Sequence, residues 1–359
     1  MAQARTVRIG PGKVIEIPET PICLNPDGLH PRRHQRWTIG THIAGMMERL
    51  ARARYEISEL QPQQTRSWLE LTDQRQRLTA DNAPVVAGLD SEQEVISVIA
   101  QSVYASSAIE GQAVHAKDAK LAIVGRIDNR DENREDYAER VRTAQSIYSA
   151  YVWALAHSFP LEGGKAITID FIREVHRRMF AATRPNLAGK WKDKPNQIQW
   201  GDRIVLEMVD PSRVAELLTA LCDRVSYQFD EAENTGRYNK LLATAEFVLD
   251  FLAIHPFGDG NGRTARLLST FLLEQAGYHF ARFYPLDPVI LDRQQEYYLA
   301  LFRAQMAWYS DDEDLTPWTD FYIQAVFAQW LRAHEEILKV VNGNRSAPSA
   351  KDHDQKIPQ

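Results

Sequence analysis

The sequence predicts an all-α protein carrying one small β-hairpin. Apolar residues recur at helical spacing through most of its 359 residues, and one stretch, about 187–209, breaks that rhythm. Composition agrees: 44% hydrophobic and 25% charged residues are the proportions of an ordinary globular chain. The length suggests about two structural units.

Taken in order, residues 1–35 carry Pro11, Pro18, Pro21, Pro26 and Pro31, a spacing that denies a helix and predicts an extended N-terminal arm. Residues 36–160 read as a helical region, with helices near 41–60, 91–110 and 134–158. A core over 161–330 follows, with helices near 168–181, 211–227, 238–254, 262–276 and 288–306. In the clearest of these, Asp210 is the N-cap and Pro211 the first helical residue. Val214, Leu217, Leu218, Leu221 and Val225 then recur at helical spacing. Ile198, Trp200, Ile204 and Leu206 around Gly201-Asp202 predict the hairpin, at about 194–207. Gly277 suits a helix stop, and Thr316-Pro317 suits the start of a last helix over 316–341. Residues 331–359 are the end of that helix and a polar tail, expected to be disordered.

The net charge of −6 argues against a sequence-independent nucleic-acid binder. Two cysteines, Cys23 and Cys222, cannot build a disulfide framework. The most apolar window, Leu241 to Phe257, contains Glu246 and Asp250 and is too short for a bilayer. With no apolar stretch at the start of the chain, the expectation is a cytoplasmic protein with no membrane and no nucleic-acid partner.

The chemistry lies in His255-Pro256-Phe257-Gly258-Asp259-Gly260-Asn261-Gly262-Arg263-Thr264-Ala265-Arg266. One apolar helix ends at Pro256 and another begins near Gly262, with Leu267, Leu268, Phe271 and Leu272 on its apolar face. The glycines between them allow successive N–H groups to converge on an anion. The second helix aims its positive N-terminal end at the same place. Arg263 and Arg266, three apart, can both reach oxyanions. Asp259 offers a hard oxygen for Mg²⁺, and His255 can accept a proton near neutral pH. These are the parts of a phosphoryl or nucleotidyl transfer site. Chance would assemble eight such fixed positions with a probability on the order of 10⁻⁸.

This segment resembles the signature motif of the Fic (Fido) family at every defining position, and the likeness extends over roughly 165–330. The resemblance implies a Fic-type helical bundle whose hairpin is a flap. It also implies an enzyme, a protein adenylyltransferase that moves AMP from ATP to a Ser, Thr or Tyr hydroxyl of a target protein and releases pyrophosphate. By resemblance, His255 is the catalytic base, Phe257 a buried anchor and Asp259 the Mg²⁺ ligand. Gly258, Asp259, Gly260, Asn261, Gly262, Arg263 and Arg266 would bind the nucleotide. Tyr298, of the pair Tyr297-Tyr298, would line the adenine pocket. The target would dock on the flap edge.

A second segment lies before the core. Ser106-Ser107-Ala108-Ile109-Glu110-Gly111 closes a helix, with Gly111 at its C′ position and Glu110 at the negative end of the dipole. A carboxylate there calls for a cation opposite. The segment resembles the family's inhibitory motif, with Ser106, Glu110 and Gly111 in register. In that resemblance Glu110 pairs with Arg266 in the space of the terminal phosphate. The implied function is an autoinhibited AMP transferase. The alternatives are removal of AMP with Glu110 orienting water, or a nucleotide-binding regulator without catalysis. Apolar helices at both ends of the core leave a homodimer open.

Overall fold

Fourteen of the fifteen residues of helix Lys240–Ile254 are buried, all but Leu242. A helix apolar on every side belongs at the centre of a bundle, and this one packs against the helices before and after it in the chain and against the last helix. Its two acidic residues find partners inside the fold. Asp250 pairs with Arg224 and accepts a hydrogen bond from Trp308 Nε1 at 2.6 Å, while Glu246 accepts from Gln228 at 3.4 Å. Charges that made the window unfit for a bilayer are thus internal struts.

The computed structural model describes residues 4–10, 13–18, 21–24, 26, 38–60, 90–111, 134–157, 161, 164–200 and 202–345. The first elements are strands β1 (Ala4–Gly10), β2 (Lys13–Pro18) and β3 (Ile22–Cys23), then helices α1 (Thr41–Leu60), α2 (Asp90–Ile109), α3 (Arg134–Leu155) and α4 (Ile169–Phe180). Strands β4 (Gln197–Trp200) and β5 (Arg203–Glu207) follow, then helices α5 (Val214–Asn234), α6 (Lys240–Ile254) and α7 (Asn261–Gln275). The chain goes on through α8 (Phe280–Phe283), α9 (Asp287–Asp292), α10 (Gln294–Met306) and α11 (Thr316–Arg345). No helix among the described residues is long and apolar enough to cross a membrane.

The helical class holds, with three differences of detail. The proline-rich arm is not featureless: β1 and β2 pair antiparallel, and β3 joins β5 in parallel, Ile22 opposite Leu206. The hairpin is therefore two strands of a three-stranded sheet ordered β3-β5-β4. Prolines exclude helix but not edge strands, which explains the missed pairing. Second, Pro211–Arg213 forms a 3₁₀ turn capped by Asp210, and the α-helix begins at Val214. Third, the segment expected as one helix over 288–306 is two, α9 and α10, parted at Arg293. The tail from 346, residues 19–20 and 27–37 of the arm, and the side chain of Trp200 lie outside the described residues.

Two features carry the site. Thr168 caps α4 by accepting from Phe171 N, and α4 buries Phe171, Ile172, Val175, His176, Met179 and Phe180. In α7 the predicted apolar face, Leu267, Leu268, Phe271 and Leu272, is wholly internal. Helix α2 packs against α3, α7 and α9, which brings the end of the N-terminal region against the core.

Trp318, buried at the start of α11, donates its Nε1–H to the Ala245 carbonyl of α6 at 2.7 Å. Trp318→Phe should leave that carbonyl unpaired and a void beside it. The expected loss is about 1–3 kcal/mol in urea unfolding.

Candidate active site

Helix α6 ends at Ile254, and His255 caps it in the left-handed conformation, φ 52°, its N–H bonded to Phe251 O at 2.9 Å. A non-glycine residue there costs about 1–2 kcal/mol. Such strain marks a position held for function. The His255 Nδ1–H donates to the Leu252 carbonyl at 3.0 Å. That fixes the tautomer and leaves Nε2 as the free proton acceptor. Burial, aided by the Lys192 charge, lowers the His255 pKa to about 4, so the ring is neutral at physiological pH.

The loop beyond is closed by its own asparagine. Asn261 Oδ1 accepts from Phe257 N at 2.9 Å and its Nδ2 donates to Phe257 O at 2.7 Å. With that side chain occupied, what Asn261 offers a ligand is its backbone N–H. Gly260 turns the chain at φ 78° directly before α7, and a Cβ there would strike the Phe180 ring. The first-turn N–H groups of α7 have no partners within the helix and point toward the loop's concavity. Arg263 is buried, its guanidinium 4.6 Å over the Phe180 ring and 3.6 Å from Asp259. It braces the loop from beneath.

Phe257 is fully buried, and the ring of His176 lies parallel to it at 3.7 Å. Gly189 N donates to His176 Nδ1 at 2.9 Å, so Nε2 carries the proton and donates to the Asp259 carbonyl, also at 2.9 Å. Burial, helped by the Arg263 charge, holds the His176 pKa near about 3, so this ring is a neutral strut. Lys192 is buried, donates from Nζ to the Ile254 carbonyl at 2.9 Å, and accepts a pKa of about 8 through burial. Its backbone N–H donates to Pro256 O, and Trp191 bridges to Phe257. The segment before the hairpin thus holds the turn around His255.

Asp259 is partly exposed; its Oδ1 accepts from Gly260 N at 2.6 Å and its Oδ2 contacts Arg184. Among the described residues no group of three or more His, Cys, Asp or Glu could cage a metal. A single reachable carboxylate beside an anion nest suits Mg²⁺, which keeps most of its shell for water and phosphate oxygens.

Glu110 meets the cation that the sequence reading required opposite it. Its Oε1 is 3.0 Å from Arg266 Nη2, and a Cβ on Gly262 would strike that carboxylate. Ser106 accepts from the same guanidinium through its hydroxyl, at 3.2 and 3.0 Å, and through its carbonyl at 3.1 Å. Gly111 closes the helix, its N–H on Ala108 O at 3.0 Å. Burial alone would weaken the Arg266 charge, but Glu110 and Asp287 together drive its pKa up instead. Tyr298 is 44% exposed and donates its hydroxyl to the Ile109 carbonyl at 3.1 Å, where Gln294 also donates at 3.0 Å. The tyrosine expected beside adenine thus touches the end of α2.

The structure brings His255, the glycine loop, both arginines, Ser106, Glu110 and Tyr298 to one place. Sequence reasoning missed His176, Lys192, Arg184 and Asp287. For His176 a signal existed: it falls among Ile172, Val175 and Met179 on the apolar face of α4. Asp287, before Pro288 in an apolar stretch, gave none.

A helical bundle with a glycine loop between two of its helices is the fold of Fic proteins. Residues 166–273 match the family model described as Fic/DOC family, and the chain carries a Fic/DOC domain there. A protein adenylyltransferase of Caenorhabditis briggsae is 32% identical over 142 residues, covering 39% of this chain and 24% of the relative. One from Nematostella vectensis is 27% identical over 206 residues, covering 57% of this chain and 43% of the relative. The chain thus spans under half the length of these curated relatives. Among solved structures, a Fic family protein from Desulfovibrio desulfuricans shares the fold, with TM-score 0.60 at 19% identity over 88% of this chain and 79% of the other. A Fic domain containing signaling protein from Bacteroides thetaiotaomicron does so with TM-score 0.57 at 18% identity, over 83% and 97%.

Two outcomes follow for stability. His255→Asn places a residue tolerant of the left-handed region at the cap, so urea unfolding should shift by no more than about 1 kcal/mol. His176 and His255 are neutral when folded, with pKa values about 3 and about 4. Unfolded, each titrates near ~6.5. The unfolded chain therefore binds more protons between these limits, and stability is lost as pH falls through that window. The urea midpoint should be lower at pH about 5 than at about 7, with a smaller drop in His255→Asn.

Proposed function

We propose that this protein transfers AMP from ATP to a hydroxyl side chain of a target protein, and that Glu110 restrains it. The observation that carries the reading is the contact of Glu110 with Arg266 at the glycine loop, 3.0 Å, beside a histidine whose free nitrogen is an acceptor. The curated relatives named above are protein adenylyltransferases.

In this reading the N–H groups of the loop and first turn of α7 cradle the phosphates, and Arg266 grips the terminal one. Asp259 with the phosphate oxygens would hold Mg²⁺, which neutralises charge on the polyphosphate. His255 Nε2 takes the proton of the target hydroxyl as its oxygen bonds to the α-phosphorus. The bond to the bridging α–β oxygen breaks, and pyrophosphate leaves. While Glu110 stands on Arg266, the terminal phosphate is excluded from that place and the α-phosphate is out of line.

The flap is suited to hold the target. Asn196, just before β4, donates to Gly258 O at 3.3 Å, so β4 starts at the loop. Strand β5 is paired on both sides, leaving β4 as the edge beside His255 for an extended segment.

The test uses Mg²⁺ and ATP labelled at the α-phosphate. Label should appear on the chain or a target weakly with wild type and strongly with Glu110→Gly. It should fall by about 10²–10⁴ on adding His255→Ala. Activity of Glu110→Gly equal to wild type would sink the restraint, and label independent of His255 would sink the base. A pH profile adds to this: kcat/KM of Glu110→Gly should hold as pH falls from about 7 to 5.5, because free His255 titrates at about 4.

A further inference from the structure

Arg266 is 2% exposed and lies between two carboxylates, of which Asp287 is the one fully enclosed. Asp287 Oδ1 accepts from Arg266 Nε at 2.9 Å. Its other oxygen, Oδ2, accepts from Ser102 Oγ at 2.7 Å and Tyr151 OH at 3.0 Å. Both oxygens of a buried carboxylate are thereby engaged, and its direction is fixed by groups from α2 and α3 as well as by α9. Glu110, in contrast, holds a different atom, Nη2, and its side chain is 29% exposed. Nη1 is buried without a hydrogen-bond partner among the described residues, and it lies 3.1 Å from where a Gly262 Cβ would be.

A guanidinium is rigid and planar, so fixing Nε fixes the direction of the whole fork. We propose that Asp287 is the positioning residue of the nucleotide site: it anchors Arg266 through Nε and keeps Nη1 and Nη2 aimed at the loop when Glu110 is withdrawn. Glu110 is the exchangeable carboxylate and Asp287 the permanent one. Without Asp287, withdrawal of Glu110 would leave a buried guanidinium with no anionic partner, free to turn away from the loop. Ser102 and Tyr151 act one step further back, by orienting Asp287. The proposal rests on the reading of the loop as an ATP site.

Asp287 works on the terminal phosphate, which ATP has and AMP lacks, and that difference separates positioning from general support. The experiment is titration calorimetry of the full chain with Mg²⁺, using ATP and AMP as probes, in a Glu110→Gly parent. Asp287→Asn in that parent should weaken ATP roughly tenfold, as expected for loss of one charge-assisted hydrogen bond. AMP affinity should stay unchanged. Unchanged ATP affinity, or equal losses for both nucleotides, would overturn the proposal. Tyr151→Phe guards against a misfolded Asp287 variant. It removes one donor to Oδ2 and should weaken ATP about twofold to threefold with AMP unmoved. No ATP-specific loss there, beside an Asp287→Asn that does not fold, also overturns it. A parent that binds neither nucleotide sinks the site reading and the proposal with it; a parent that binds, with unmoved variants, sinks the proposal alone.

Discussion

A buried guanidinium must be satisfied, and much of this site follows from how Arg266 is satisfied. It sits on the second turn of α7, close to the end where loop and helix dipole already favour an anion. Removing a cation from water costs several kcal/mol unless charges and acceptors surround it. Here α2 supplies Ser106, the turn just past its end supplies Glu110, and α9 supplies Asp287. The packing of the N-terminal helical region on the core is therefore tied to the charges at the glycine loop. Any group that takes the place of Glu110 must bring negative charge of its own, and a phosphate does.

The histidine of the loop is held by a different set of contacts. His255 occupies a left-handed cap that glycine or asparagine would fill more easily. Lys192, the Trp191–Phe257 bridge and the neutral His176 stack hold the turn around it. Lys192, His176 and Phe257 are buried and Trp191 is partly buried against them. The result is a strained residue over a stiff support, so that its proton-accepting nitrogen keeps one position.

Much of the fold was legible because its cause is local. The 3.6-residue recurrence of apolar side chains in Val214, Leu217, Leu218 and Leu221 is a property of the chain before it folds. Asp210, Gly277 and Thr316-Pro317 punctuate it by their own backbone chemistry. The strands of the arm were not legible, since β3 is two residues long and exists only because β5 offers an edge. The break at Arg293 was hidden for a related reason: the apolar pattern continues across it while the backbone does not.

The candidate site divides the same way. Glycines, a histidine, a carboxylate and two arginines at fixed spacing determined a tight turn running into a helix start, because both are built within a dozen residues. The need for a cation opposite Glu110 was also determined, by the dipole of its own helix. The partners came from the tertiary structure. Arg266 meets Glu110 across 156 positions and Asp287 across 21, and His176 meets Asp259 across 83. Tyr298 turned toward Ile109, 189 positions away. Such meetings depend on how helices cross, and no spacing within one segment encodes where another segment will lie.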